Sequence, residues 1–286
     1  MPTDWLLIDG SSLIFRAFYG VPRTVVAPNG APINGARGCI DNLARLITER
    51  RPAHLALATD EDWRPAFRVE ALPTYKAHRV AEPVPPELEP QMPVAWDVLR
   101  AAGLAVIGAA GFEAEDVIAS IVARVTGRVE IWSGDRDLFA LVRDPDVTVL
   151  YPERGGLAVV DEAEITRRYG IPGRSYLDFA ILRGDPSDGL PGLRGVGAKT
   201  AVDLVRRHGD LEGIIANTRL DGPALEYLAG ARRVVAPVAD IPLDLPDCAV
   251  PDAPADPRRL AALGADWGLA SAIARLTEAL ARRAAG

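Results

Sequence analysis

The chain has 286 residues, of which 49% are hydrophobic and 25% charged, a soluble composition with enough residues for one large or two modest cores. Two cysteines and three histidines give neither a disulfide framework nor a His- or Cys-based metal site. The formal charge of −7 argues at first against a nucleic-acid partner. No segment reaches the roughly 18 apolar residues that span a bilayer, and the N-terminus lacks a signal-peptide pattern. The expected location is therefore cytoplasmic, with no membrane partner.

Trp5–Asp9 is a short apolar run that ends in an acid and a glycine, the pattern of a buried strand opening into a loop. Ser11 or Ser12 is expected to cap the helix that follows through Gly20. A second helix is expected from Gly35 to Arg50. His54–Asp60 repeats the strand-then-acid pattern, and Val129–Asp135 repeats it again. Between them, Glu113–Val125 has helical spacing, with Val117, Ile118, Ile121 and Val122 on one face. Residues 61–95 carry seven of the 24 prolines, interleaved with Arg64, Arg68, Lys76 and Arg79. This segment reads as an excursion above the sheet. A hairpin is expected over 147–161, then helices to about Arg207, then a helical region with proline-rich interruptions. Alternating strands and helices predict an α/β fold with a mostly parallel central sheet flanked by helices. Ligands of such sheets bind beyond the carboxyl ends of the strands, where three strands here deliver an Asp.

Further acids follow in Glu113, Glu115 and Asp116, in Asp135 and Asp137, and in Asp185 and Asp188. With Asp9 and Asp60 they make nine carboxylates in five segments. Carboxylates at close quarters resist ionisation unless cations compensate them. Oxygen-only ligands select Mg²⁺ or Mn²⁺, and a pair of such ions suits phosphodiester hydrolysis. Leaving these nine charges out of the −7 gives +2 for the remainder, so the acidic balance no longer opposes DNA.

The segments LLIDGSSLIFRAFYG (6–20), ATDEDWRPAFRVEALPTYKAHR (58–79), GFEAEDVIAS (111–120), SGDRDLFAL (133–141) and GDPSDGLPGLRGVGAKTA (184–201) resemble the 5′-nuclease superfamily. That group comprises flap endonucleases and the 5′-exonuclease domain of bacterial DNA polymerase I. The resemblance spans roughly residues 4–245, with no polymerase domain following. It implies a PIN-like nuclease core over 1–170 that includes a helical arch or clamp at about 61–95. A helical region over 171–286 would contain a helix–three-turn–helix at about 184–210.

For the site, the resemblance implies that Asp9, Asp60 and Glu115 hold one divalent ion. Glu115, Asp135, Asp137 and Asp188 would hold a second, with Glu113, Asp116 and Asp185 in support. Lys76 and Arg79 would contact the scissile phosphate. Arg68 is a further DNA contact, and Tyr19 would offer a face to a terminal base. Arg194, Gly195, Gly197, Lys199 and Thr200 would grip duplex backbone through a glycine turn ahead of a helix, with K⁺ on the turn's carbonyls. Here Ala198 precedes Lys199 and no strand leads in, so the turn is not a P-loop.

The implied reaction is two-metal 5′-3′ exonuclease and flap endonuclease cleavage for DNA replication and repair. The implied partners are DNA flaps, nicks and 5′ ends, RNA primers, and a functional link to a polymerase and a ligase; the chain would act as a monomer. Gly189 stands where many bacterial members carry Asn, which bears on how Asp188 is positioned. Three other readings are a catalytically weak DNA-junction binder, a PIN-type ribonuclease and a non-enzymatic adaptor for a polymerase. The retained acids oppose the first, the arch segment and glycine turn the second. No terminal peptide motif favours the third.

Overall fold

The computed structural model describes residues 3–79 and 84–284. In chain order the elements are β1 (Trp5–Asp9), α1 (Gly10–Gly20), α2 (Asn34–Arg50), β2 (His54–Ala58), α3 (Ala66–Ala71), α4 (Gln91–Ala101), β3 (Ala105–Ile107), α5 (Ala114–Val122), β4 (Val129–Trp132), β5 (Val147–Glu153) and β6 (Gly156–Val160). The rest is helical: α6 (Glu162–Tyr169), α7 (Tyr176–Arg183), α8 (Ala198–His208), α9 (Leu211–Asn217), α10 (Gly222–Val235), α11 (Pro257–Trp267) and α12 (Ala270–Ala284).

The sheet order is β3-β2-β1-β4-β5-β6. Every pairing is parallel except the β5–β6 hairpin. The successive strands β1 and β2 are neighbours, but β4 crosses back to the other side of β1. The winding direction therefore reverses at β1, the place where open α/β sheets leave a crevice. Register makes the crevice acidic. Asp9 pairs with Ala58 and Ile8 with Trp132, so Asp9, Asp60 and Asp135 all emerge at one edge.

Side chains alternate between two apolar layers because strand periodicity is two. Leu6 and Ile8 pack with α1, α2, α4, α11 and α12 on one face. Trp5 and Leu7 pack with α5, α7, α8, α9 and α10 on the other. Burial of both faces is what a parallel sheet requires. Between α10 and α11 the proline-rich stretch runs as a strap rather than a helix. It pairs along β2, where Leu55 N–H donates to Cys248 C=O at 2.8 Å and Val250 N–H to Ala53 C=O at 3.0 Å. No helix among the described residues is long and apolar enough to cross a membrane.

Several local expectations change. The first helix begins at Gly10, and its N-cap is Asp9, whose carboxylate accepts from Ser12 N–H at 2.9 Å. The serines expected to cap it serve other partners. Gly10 permits the sharp strand-to-helix exit, because a Cβ there would lie 2.6 Å from the Ala58 carbonyl oxygen. The edge strand β3 is three residues long and carries no periodicity to read. The 61–95 segment is rooted in the core at both ends: Arg68, Tyr75, Leu88 and Gln91 are buried. Gln91 reaches across to accept from Gly35 N–H at 2.7 Å and so caps α2 from α4. Part of the expected arch, residues 80–83, lies outside the described residues.

Candidate active site

A cavity of about 610 Å³ opens at the carboxyl edge of the sheet. Seven of the nine expected acids line it: Asp9, Asp60, Glu113, Glu115, Asp135, Asp185 and Asp188. Lys76 and Arg79 face them from the excursion, and Phe15 and Trp63 add apolar wall.

Asp9 is 8% exposed. One oxygen caps α1 and the other accepts from the Ser133 hydroxyl at 2.6 Å. Burial, then the charges of Asp60 and Asp135, outweigh those two hydrogen bonds and push its pKa up to about 7. Asp60 accepts from the Ser11 hydroxyl at 2.5 Å and from Ala114 N–H at 2.7 Å. It thereby joins the end of β2 to the start of α5. Ser12 Oγ accepts from Gly134 N–H at 2.8 Å, and Ser133 Oγ accepts from Asp135 N–H at 2.9 Å. Three serines beside the acids thus fix the loops that carry them. The Ser-Ser after Ile-Asp-Gly and the Ser before Gly-Asp were visible in the sequence, but their partners were not.

Glu113 and Asp116 form a reciprocal capping box at the start of α5. Glu113 also accepts from Lys76, Arg68 and the Tyr75 hydroxyl. Burial raises its pKa against the opposing charges of Lys76 and Arg68. Glu115 pairs with Arg68 at 2.5 Å. Burial raises its pKa well above the carboxylate range, and of its neighbours Arg68 opposes this while Glu113, Asp116 and Asp135 add to it.

Two expectations are corrected here. Arg68 is fully buried and cannot reach DNA. Its guanidinium sits among Glu113, Glu115 and Asp116, and its Nε–H donates to Val234 C=O at 3.0 Å. Burial works against its charge, but the three acids outweigh burial and raise its pKa. Asp116 is likewise fully buried and does not line the cavity. Its oxygens are taken by Arg68, by Glu113 N–H and by Val238 N–H. It anchors Arg68 and the strap rather than facing a metal.

Asp137 does not line the cavity, and its N–H donates to Asp135 Oδ1 at 2.9 Å. Burial first, then Asp135, Asp188 and Asp185, hold the Asp137 pKa well above its ordinary value. Asp185 caps the short turn Pro186–Asp188, accepting from Ser187 N–H at 2.8 Å. Asp188 is 9% exposed and pairs with Arg79 at 3.1 Å; burial raises its pKa while Lys76 opposes. The charge of Lys76 is favoured by Glu113, Asp188 and Glu115 despite its burial.

The glycine turn lies apart from the cavity. Arg194, Gly195, Gly197, Lys199 and Thr200 are all exposed. α8 starts directly after Gly197 with no side chain capping it. The turn is tied to the core by Leu193 N–H donating to Leu182 C=O at 2.9 Å and by Tyr227. The Tyr227 hydroxyl accepts from Gly192 N–H at 3.1 Å and donates to Ile181 C=O at 2.8 Å. Tyr19 is 69% exposed at the end of α1, beside Phe18.

As placed, these acids apart from Asp137 are engaged by the chain's own donors, and no three acid, His or Cys groups among the described residues converge to hold one ion. Their chemistry nevertheless fits hard divalent cations: every donor is a carboxylate oxygen, and the raised pKa of Asp9 marks charge left uncompensated.

Residues 4–170 match the family described as 5′-3′ exonuclease, N-terminal resolvase-like domain, and residues 171–241 match 5′-3′ exonuclease, C-terminal SAM fold. The chain belongs to the 5′-3′ exonuclease family. It is 48% identical to a 5′-3′ exonuclease of Streptomyces coelicolor, covering 96% of this chain and 99% of that protein. It is 44% identical to one of Mycobacterium tuberculosis, over 98% of each. In fold this family member is similar to the flap endonuclease of bacteriophage T5, crystallised with DNA and metal ions, at a TM-score of 0.65 and 16% identity over 99% of both chains.

Proposed function

We propose that this 5′-3′ exonuclease cleaves DNA phosphodiesters near junctions between a 5′ single strand and duplex. The observation that carries the proposal is the cavity, where seven carboxylates from five separate segments face Lys76 and Arg79. Asp9, Asp60 and Glu115 would hold one Mg²⁺ or Mn²⁺, and Asp135, Asp137 and Asp188 a second, with Glu115 between them. Asp185 and Glu113 support the site from its rim. When bound, such ions supply charge neutralisation and water activation at the phosphate.

The chain's own residues do the rest. Lys76 and Arg79 are held by Glu113 and Asp188. Neutralising those acids frees both cations for the non-bridging oxygens of the scissile phosphate, where charge grows in the transition state. Glu115 stays aimed at the cavity because Arg68 holds it from behind. The turn 192–200 grips duplex backbone through N–H groups and its exposed Arg194 and Lys199, without reading sequence; K⁺ on its carbonyls belongs to the same proposal. The junction would present its 5′ strand to the arch and its duplex to the turn. Removing such a flap or primer would leave a nick, so a polymerase and a ligase are the proposed neighbours of this step.

The test is incubation of the purified protein with labelled 5′-flap, nicked and single-stranded substrates, with and without Mg²⁺ or Mn²⁺. Flap or nick cleavage is expected only with metal, and Asp135→Asn is expected to lose turnover while keeping DNA affinity. Binding without cleavage under any divalent ion would favour the junction-binder reading; preference for unstructured RNA would favour the ribonuclease.

A further inference from the structure

The loop that carries Asp185 and Asp188 is clasped to the segment that carries Lys76 and Arg79. Lys76 N–H donates to Asp188 C=O at 2.9 Å. The Arg79 guanidinium donates to Ser187 C=O at 2.6 Å and pairs with Asp188 at 3.1 Å. Gly189 lies at the centre of this contact. Its φ is +75°, and a Cβ built on it would lie 2.1 Å from the Thr74 carbonyl oxygen and 3.4 Å from Lys76 N.

The backbone it would strike cannot easily yield. Thr74 C=O accepts from Ala77 N–H at 3.1 Å. Arg64 braces the same turn, donating to Tyr75 C=O at 2.6 Å and Pro73 C=O at 3.1 Å. Lys76 itself is held at φ +47°, a conformation that a non-glycine residue keeps only where its surroundings enforce it.

We propose that Gly189 is a positioning residue: the missing Cβ lets the acid loop and the Lys76–Arg79 segment close on each other, and this contact aims both cations into the cavity. This rests on the nuclease reading for the role of the two cations, but the clasp itself does not. Positive φ alone does not explain the glycine, because Asn tolerates the left-handed region. The close approach excludes any side chain, Asn included.

Gly189→Asn and Gly189→Ala separate the two causes. Both are expected to lower kcat on flap DNA by about ten- to a hundredfold, the usual effect of displacing catalytic groups by about 1 Å. KM should change far less, since the exposed Arg194 and Lys199 of the glycine turn are untouched. In the DNA-free protein, tryptic cleavage after Lys76 and Arg79 should accelerate in both variants while the melting profile stays cooperative. Wild-type kcat and wild-type proteolysis in Gly189→Asn would overturn the proposal and leave only the φ requirement. Should neither variant fold, hydrogen exchange in the wild-type protein decides: a protected Lys76 amide supports the clasp, and one exchanging like free loop refutes it. If the wild type cleaves no DNA, the nuclease reading fails while proteolysis and exchange still judge the clasp.

Discussion

Arg68→Met removes the cation from a buried charge cluster while keeping much of the side-chain volume. In the wild type the guanidinium is fully buried and meets Glu113, Glu115 and Asp116. Glu113 keeps Lys76 and Tyr75 after the substitution. Asp116 keeps two backbone N–H donors. Glu115 has no other ion pair among the described residues. Removing one partner from a buried ionic cluster costs about 3–5 kcal/mol, which for a chain of this length is about 10 °C in Tm. The loss must depend on pH. Burial already raises the Glu115 pKa well above its unfolded value, and without Arg68 it rises further. The folded variant then holds a proton that the unfolded chain releases, so its stability falls as pH rises above the unfolded carboxylate range. Urea unfolding at pH 5 and pH 8 measures this: the deficit should be small at pH 5 and reach its full value at pH 8, with an unchanged m-value. A deficit below about 1 kcal/mol at pH 8, or one equal at both pH values, would refute the assignment of Arg68 as the internal counter-ion.

Asp9 makes a related prediction for the metal-free protein. Its pKa is raised from 3.8 to about 7, so the stability it contributes is present below pH 4 and is lost as pH rises through 7, up to about 4 kcal/mol at 1.36 kcal/mol per unit. A divalent ion replaces that proton, so Mn²⁺ should raise Tm more at pH 8 than at pH 6; EDTA-treated protein equally stable at pH 5 and pH 8 would contradict this. At the exposed turn, Arg194→Ala and Lys199→Ala should each reduce the salt dependence of duplex binding by about one ion and leave Tm unchanged. Fluorescence anisotropy across a salt series measures it, and an unaltered slope would remove that residue from the DNA contact.

The placement of the acids was legible because it follows from strand register. Three apolar runs ending in Asp can meet only if they are parallel neighbours, and β2, β1 and β4 are. The burial of Arg68 is not legible in sequence, because its acidic partners lie 45 to 48 residues away and spacing alone does not show which way a six-residue helix turns. Three acids at 113, 115 and 116 pose a question of compensation, and Arg68 meets part of it from inside the fold. Asp116 does carry a local signal of a structural role: it lies three residues after Glu113, at capping-box spacing. The proline-rich interruption over 236–256 is legible as a break between helices, but its pairing along β2 is not, because prolines punctuate extended chain as readily as helix ends.

The Tyr227 hydroxyl and the Leu193–Leu182 bond fasten the glycine turn to α7, and the chain leaving α7 enters the loop of Asp185 and Asp188 directly. On the proposed roles, the end of one short helix carries both the turn that would grip duplex and the acids that would cut. A molecule built this way would act as a ruler: the position of the cleaved bond should be counted from the start of the duplex and stay constant whatever the base sequence.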